Sequence, residues 1–496
     1  MKGKLKKWVS GLLVMVLAVS CLLTGCGQEQ STPTVSTEYG DLPYVKLTWY
    51  IRPTAQKDMD EVIAEVNKIT KKKINAEIEV KRIDPGSYEQ KMKTVISAGE
   101  TFDLCYMSMG YGYSEYVARG AFLSMNDLIE KYAKPAYEAI PEEFWEAPKV
   151  DGQIYGFLNY QIFAREYGMF IDKDIVEKYN FDYTKMEKAA DIEPLLKQMK
   201  QNESPDKVIF SCFGKNNWEP TLYGLEALDS TLAGQRIDDK ENKVINLYET
   251  EEFREFISVM RDFYQKGYIQ KDAATANNAR ELGASGRILA AQNNYKPGGL
   301  QEYSSLNNNK EAVYQKLCEP FVTTQNTLAT MTCISRTSEN PERAMMFINM
   351  LNTDKELYNL LCFGIEGKHY NKVSENRIEQ IPNSGYSPNV AWMFGNQFNA
   401  YVYGIQEDSI WEETIQLNNE AKFSNLFGFV VNSEDIKNEV AQCQTVIDEY
   451  LNSLASGSVD IDTVYPEFIQ KLKAAGSDSL VQKVQKQVDD WKSSKN

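Results

Sequence analysis

Between residues 45 and 51, apolar and polar positions alternate. Val45, Leu47, Trp49 and Ile51 fall on one side, Lys46, Thr48 and Tyr50 on the other. That period of two predicts a strand with one buried face. Met59, Val62, Ile63, Val66 and Ile69 then recur at helical spacing, and Ala76, Ile78 and Val80 alternate with Glu77, Glu79 and Lys81 as a second strand. Residues 87–98 again carry a helical pattern, and the run 102–107 reads as a third, more deeply buried strand. Strand, helix, strand, helix, strand predicts right-handed crossovers and a parallel sheet covered by helices. Ligands of such sheets bind outside the carboxyl ends of the strands. The exit of the first strand at Tyr50 and Arg52 and the loop from Tyr106 to Tyr113 therefore share one edge. Near the other terminus, Ile436, Val440, Cys443, Ile447, Leu451 and Leu454 form one apolar stripe, opened by Ser433 with Glu434 and Asp435 in the first turn. Leu480, Val481, Val484, Val488 and Trp491 form another. Both stripes are read as core packing rather than as faces for a partner.

The first 25 residues follow a different pattern. Lys2, Lys4, Lys6 and Lys7 precede an almost wholly apolar run over residues 8–23, and no acid appears before Glu29. Sixteen helical residues rise about 24 Å, short of the ~20 residues that span a bilayer comfortably. A basic start, a short apolar run and small residues before a cleavage point describe an export signal. Residues 28–40, rich in Ser, Thr and Glu without apolar periodicity, read as a flexible tether.

Composition narrows the rest. Cleaving 25 of 496 residues leaves a chain too long for one ordinary core and long enough for two lobes. It also removes four lysines and no acid, taking the net charge from −16 to −20. That charge repels phosphate backbones, so nucleic acid is excluded as a partner. Beyond Cys26, the cysteines at 105, 212, 318, 333, 362 and 443 are far apart and form no CxxC pair, which argues against a zinc cluster or a dense disulfide framework. Most sit in apolar segments as small hydrophobes; one or two disulfides stay open, with no pairing assignable. A single histidine, His369, argues against His-based triads and multi-His metal sites. No cofactor and no metal are expected.

A resemblance then becomes specific. Leu23-Thr24-Gly25-Cys26 resembles the lipobox of bacterial lipoproteins, in which the cysteine thiol is lipidated and becomes the mature N-terminus. The run Thr94 to Asp103, with Ser97-Ala98-Gly99-Glu100, resembles a segment of family 1 extracellular solute-binding proteins, the receptors of ABC sugar importers. Gly120-Ala121-Phe122-Leu123, Val150-Asp151-Gly152-Gln153-Ile154-Tyr155-Gly156, Tyr167 to Asp174 and Asn340-Pro341-Glu342-Arg343-Ala344 follow in the family's order. Gly364 to Tyr370, Phe394-Gly395-Asn396-Gln397 and the last seventy residues resemble the LipO-type subgroup, whose C-terminal part is the domain of unknown function DUF3502. Each motif alone is weak; their shared order is specific. The resemblance implies an α/β, two-lobed, periplasmic-binding-protein-like (type II) fold with hinge-connected lobes and extra C-terminal helices. It implies lobe one over 44–160 and 306–370, and lobe two over 161–305 and 371–496, after the signal (1–25) and tether (26–43). It implies a lipid-anchored monomer on the outer face of a Gram-positive cell membrane, with an oligosaccharide ligand and ABC permease subunits as partners.

A sugar-binding cleft needs aromatic plates for flat C–H faces and polar forks for hydroxyls. About 100 Å² of buried sugar face contributes roughly 2–3 kcal/mol, provided each buried hydroxyl finds a partner. With 29 Tyr and 7 Trp the chain has plates in excess, so position must select among them. Trp49 alternates with core residues and is expected inside. Tyr50 and Arg52 leave the other face of the strand end, with plain surface as the alternative, and Tyr106 and Tyr111 flank the loop after the third strand. Trp218 and Glu219 lie between a strand over 208–212 and a helix, against capping and packing as alternatives. Tyr295 and Lys296 follow a strand over 287–291. Trp392 and Asn396 belong to the aromatic stretch 390–403, where core packing is an equal rival for Trp392. His369 follows a Gly-rich turn and is assigned a hinge or helix-end hydrogen bond. The rivals are a surface glycosidase or polysaccharide lyase and a peptide receptor. Two carboxylates about 5–10 Å apart suffice for glycoside hydrolysis, but among seventy acids no segment singles out a pair.

Overall fold

The computed structural model describes residues 34–228 and 232–495. In chain order the elements that matter for function are β1 (Val45–Ile51), α1 (Met59–Ile74), β2 (Ala76–Arg82), α2 (Tyr88–Ser97), β3 (Leu104–Met107) and β4 (Phe157–Leu158). Next come β5 (Glu166–Asp172), α3 (Glu251–Gln265), β6 (Ala290–Tyr295) and β7 (Ala312–Lys316). They are followed by β8 (Phe321–Val322), β9 (Met331–Ile334), α4 (Pro341–Thr353), α5 (Lys355–Phe363), α6 (Ile410–Glu420) and β10 (Lys422–Phe423). The chain closes with α7 (Lys437–Ala455), α8 (Ile461–Ala474) and α9 (Ser477–Lys495).

Two hydrophobic cores define two lobes. In lobe one the sheet order is β2-β1-β3-β9-β4, with β1 parallel to β2 and β3 as the period-two pattern predicts. The fourth strand, β9, runs antiparallel because the chain re-enters from the other lobe. Leu47, Trp49 and Ile51 alternate into this core and are essentially inaccessible, so Trp49 is inside as expected. Lobe two has the three-stranded antiparallel sheet β6-β5-β7, with α3 and α7 to α9 closing its core.

The chain crosses between lobes three times, at residues 164–166, 317–321 and 423–426. The crossings lie side by side. Arg165 and Phe321 exchange both backbone hydrogen bonds at 2.9 Å, and β8 pairs in parallel with β10. Fully buried Asn418 holds the first crossing: its Oδ1 accepts from the backbone N–H of Phe163 (2.8 Å) and Ala164 (3.0 Å), and its amide donates to the Gln161 carbonyl (2.8 Å).

The boundaries differ from expectation in two segments. Residues 306–316 belong to lobe two, because β7 pairs with β5 there before the chain crosses at 317–321. Residues 371–423 belong to lobe one, because Ile378, Met393, Phe394 and Ala400 pack into the first core rather than the second. Lobe two is completed only from about residue 424. There Ile436, Cys443, Ile447, Leu451 and Leu454 of the first apolar stripe are buried as predicted and Val440 is half-buried. Ser433 does not cap the helix: Asn432 accepts from the Glu434 N–H at 3.1 Å and caps the short turn Ser433–Asp435, and α7 begins at Lys437 without a side-chain cap. Cys26, the signal and the tether up to residue 33 lie outside the described residues, but Thr34–Thr37 and Gly40–Pro43 pair as an antiparallel hairpin, so the expected flexible tether is structured from residue 34 on.

Candidate functional site

The carboxyl end of β1 delivers Arg52 into a box of three rings. Its guanidinium carbon lies 5.4 Å from the centroid of Tyr111, 5.7 Å from Tyr106 and 5.9 Å from Trp392. Tyr106 is the penultimate residue of the adjacent strand β3, Tyr111 follows in the turn Met109–Tyr111, and Trp392 comes from the turn Ala391–Met393. Tyr106 is buried; its hydroxyl donates to the Ala329 carbonyl at 3.2 Å, and burial pushes its pKa up to about 12. Trp392 meets the Tyr106 ring edge-on at 6.0 Å and is only half-buried.

Trp392 also lines a cleft of about 600 Å³ between the lobes. Lobe two supplies one wall through Lys296, Gln301 and Glu302; lobe one supplies the other through Tyr401, Tyr403 and Trp411. The lobes approach closely at its floor, where a Cβ on Gly298 would come within 2.7 Å of Ile410 Cδ1. The lining thus mixes aromatic faces with amides and charged groups, as a sugar requires. Among the described residues no group of three or more His, Cys, Asp or Glu is arranged to hold a metal ion.

Of the ten residues singled out in the sequence for ligand binding, the structure groups Arg52, Tyr106, Tyr111 and Trp392 at the lobe-one edge and places Lys296 on the facing wall. Lys296 is paired with Glu302 at 2.8 Å. Tyr295 lies within β6 rather than after it, because that strand runs on to Tyr295; its ring stacks on Tyr314 at 4.4 Å. Tyr50 packs edge-on against Phe102, before β3 begins, and takes no part in the arginine box. Trp218 is in the core of lobe two between Phe253 and Phe256, so its indole offers no open plate. Glu219 accepts from the Thr221 N–H (3.2 Å) as the cap of a short turn. Asn396 likewise caps, accepting from the Phe398 N–H at 3.0 Å, and is buried. Sequence reasoning missed Gln301, Tyr401, Tyr403 and Trp411. Tyr401 and Tyr403 flank buried Val402 with period two, a signal that was available.

His369 is fully buried. Its Nδ1 accepts from the Ile365 N–H (2.8 Å) and Nε2 faces Asp58 Oδ2 at 3.2 Å, a helix-end hydrogen bond as read from the sequence. Lys368 and His369 together hold the Asp58 carboxyl below the usual range. The six cysteines in the described residues are free thiols. Burial pushes Cys212 up to about 12 and Cys318 to about 11, which leaves little thiolate.

The two-lobed fold with its cleft places the chain in a known class. Residues 64–361 match the family of bacterial extracellular solute-binding proteins, and residues 425–493 match the domain of unknown function DUF3502. The chain belongs to that solute-binding family. It is 28% identical to a carbohydrate ABC transporter substrate-binding protein of Streptococcus pneumoniae over 96% of both chains. It is 22% identical to lipoprotein LipO of Bacillus subtilis, over 55% of this chain and 53% of that one. Among solved structures it is similar to the N-glycan transport solute binding protein NgtS of S. pneumoniae, with 26% identity and a TM-score of 0.79 over 91% of this chain and 100% of the other. Its TM-scores to NgtS in complex with Man1GlcNAc and Man5GlcNAc are 0.72 and 0.71.

Proposed function

We propose that this chain is the membrane-tethered receptor of an ABC importer, capturing an oligosaccharide between its lobes and closing over it. The observation that carries this is the cleft itself: aromatic side chains of lobe one, Trp392, Tyr401, Tyr403 and Trp411, face amide and charged side chains of lobe two, Gln301, Asn309 and Lys296, across about 600 Å³, beside three short adjacent crossings. Two-residue pairing at β8 and β10 leaves few hydrogen bonds to resist bending, which suits hinge closure. At an unchanged 26% identity, the similarity to NgtS falls from 0.79 to 0.72 and 0.71 in the glycan complexes, which supports an open arrangement of the lobes here. No step of bond cleavage enters this reading; the chain acts by binding, as a monomer that hands its ligand to permease subunits.

Lipidation at Cys26 completes it. Acyl chains contribute about 0.8 kcal/mol per buried CH₂ and keep the receptor beside its transporter on the cell surface. Cys26→Ala releases the protein from the membrane fraction while the purified chain binds ligand unchanged. The central test is a thermal-shift screen of neutral and acidic oligosaccharides. A ligand at a hundredfold excess over Kd adds about 2.7 kcal/mol, so a genuine ligand raises the melting temperature. No shift across a broad panel, or new reducing ends in the incubated sugars, overturns the proposal.

A further inference from the structure

Arg52 differs from the structural arginines of this protein. Buried Arg343 donates to the carbonyls of Pro43, Ile74 and Asn75. Arg377 reaches Asp408 and the carbonyls of Gly404 and Gln406, and Arg119 of lobe one pairs with Glu434 of lobe two. Around Arg52, by contrast, no carboxylate of the described residues lies within ion-pair distance. Its Nε–H is buried without a hydrogen-bond acceptor among the described residues. Three aromatic rings hold the cation instead. On the facing wall Lys296 is neutralised by Glu302, so it does not duplicate this free charge.

We propose that Arg52 selects oligosaccharides that carry a carboxylate, a hexuronate or a nonulosonic acid, at the Trp392 end of the cleft. This rests on the receptor reading above and names its ligand class. Rings around a guanidinium exclude water, so an opposite charge placed there is felt more strongly than on the surface. The planar fork matches a carboxylate with two parallel hydrogen bonds. A hydroxyl returns only a neutral-strength bond and leaves the cation uncompensated. Trp392 belongs to both the box and the cleft lining, so a sugar stacked on its indole brings its substituents beside the guanidinium. The net charge, −16 for the whole chain and −20 without its first 25 residues, does not prevent this, since repulsion from distant acids is screened within about 8–10 Å at ordinary salt.

The test is calorimetric titration of the mature chain with two matched pairs, 3′-sialyllactose against lactose and trigalacturonate against galactotriose, at low and high NaCl. At least one acidic member binds about ten- to a hundredfold more tightly than its neutral partner. Only the acidic affinity falls with salt. Arg52→Met erases the difference, bringing the acidic affinity down to that of the neutral partner, whereas Arg52→Lys, which keeps the charge without the fork, retains part of it. Which pair responds separates nonulosonic acid from uronate. If the neutral members bind as well as the acidic ones, or R52M leaves the preference intact, the assignment of Arg52 falls and the receptor reading stands. If no member of either pair and no sugar in the wider panel binds, both fall. The salt dependence of the unmodified protein and R52K decide the matter even if R52M does not fold.

Discussion

Asn418→Ala is the perturbation that reaches furthest into this architecture. The side chain is inaccessible and makes three hydrogen bonds to the segment 161–164, immediately before the first crossing at Arg165. Alanine leaves two N–H groups and one carbonyl buried without partners. Each such loss costs about 1–3 kcal/mol, and local relaxation recovers part of it, so the expected destabilisation is about 3–6 kcal/mol. That is a large share of the ~5–15 kcal/mol that holds an ordinary domain together. Asn418→Asp separates the contributions. Its ionised carboxylate still accepts from Phe163 and Ala164 but turns an oxygen toward the Gln161 carbonyl, in a site without a counter-charge. Burial raises the pKa of such an acid. The folded state then binds a proton more tightly than the unfolded one, so N418D gains stability as pH falls through the folded-state value and loses it as pH rises. The assay is urea unfolding followed by tryptophan fluorescence, with amide exchange at Phe163 and Ala164 as the local readout. Because Gln161 and Ile162 also line the cleft, ligand affinity falls as well. A loss under about 1 kcal/mol with both amides still protected refutes the reasoning.

The two tryptophans assigned opposite environments respond oppositely. Trp392→Ala removes a cleft plate and weakens ligand binding by about 2 kcal/mol, some thirtyfold in Kd, with little change in unfolding. Trp218→Ala empties part of the lobe-two core and costs about 3–5 kcal/mol of stability, while the Kd of the folded protein is unchanged; calorimetry and denaturation separate the two. Glu226 is buried with only Gln235 and Ser424 donating to it, and burial raises its pKa above the usual 4.5. Its contribution is therefore most favourable at acid pH and is lost as pH rises through the raised value, so Glu226→Gln flattens the fall in melting temperature between acid and neutral pH. A parallel fall in both proteins refutes that assignment.

What the sequence disclosed follows from how each signal is physically encoded. Period-two alternation reports a half-buried strand directly, so β1 and the face of Trp49 were readable, and the strand-end rule brought Arg52, Tyr106 and Tyr111 together. Trp218 failed because a tryptophan after a strand has the same composition whether it faces solvent or Phe253; only packing distinguishes them. Asn396 suits a hydroxyl-binding fork by composition, yet its spacing to Phe398 is equally that of a side chain capping a turn. The segment 371–423 has no long periodic run, and its short paired strands give no pattern by which to choose a lobe. The crossings at β8 and β10 are two residues long, below any periodicity.

The C-terminal stripes bear on how the lobes move. Cys443, Ile447, Leu451 and Leu454 of α7 fill the same core as Phe253, Phe256 and Met260 of α3, so the DUF3502 segment is structurally part of lobe two. It also reaches lobe one: Glu434 meets Arg119 at 2.7 Å and Lys495 meets Glu146 at 3.3 Å. Exposed pairs of this kind contribute about 0–1 kcal/mol each. Binding even at micromolar affinity releases about 8 kcal/mol, far more than these contacts hold. These contacts between the C-terminal region and lobe one are thus weak beside the free energy of ligand binding, and on the receptor proposal the contents of the cleft, not this latch, set whether the lobes close.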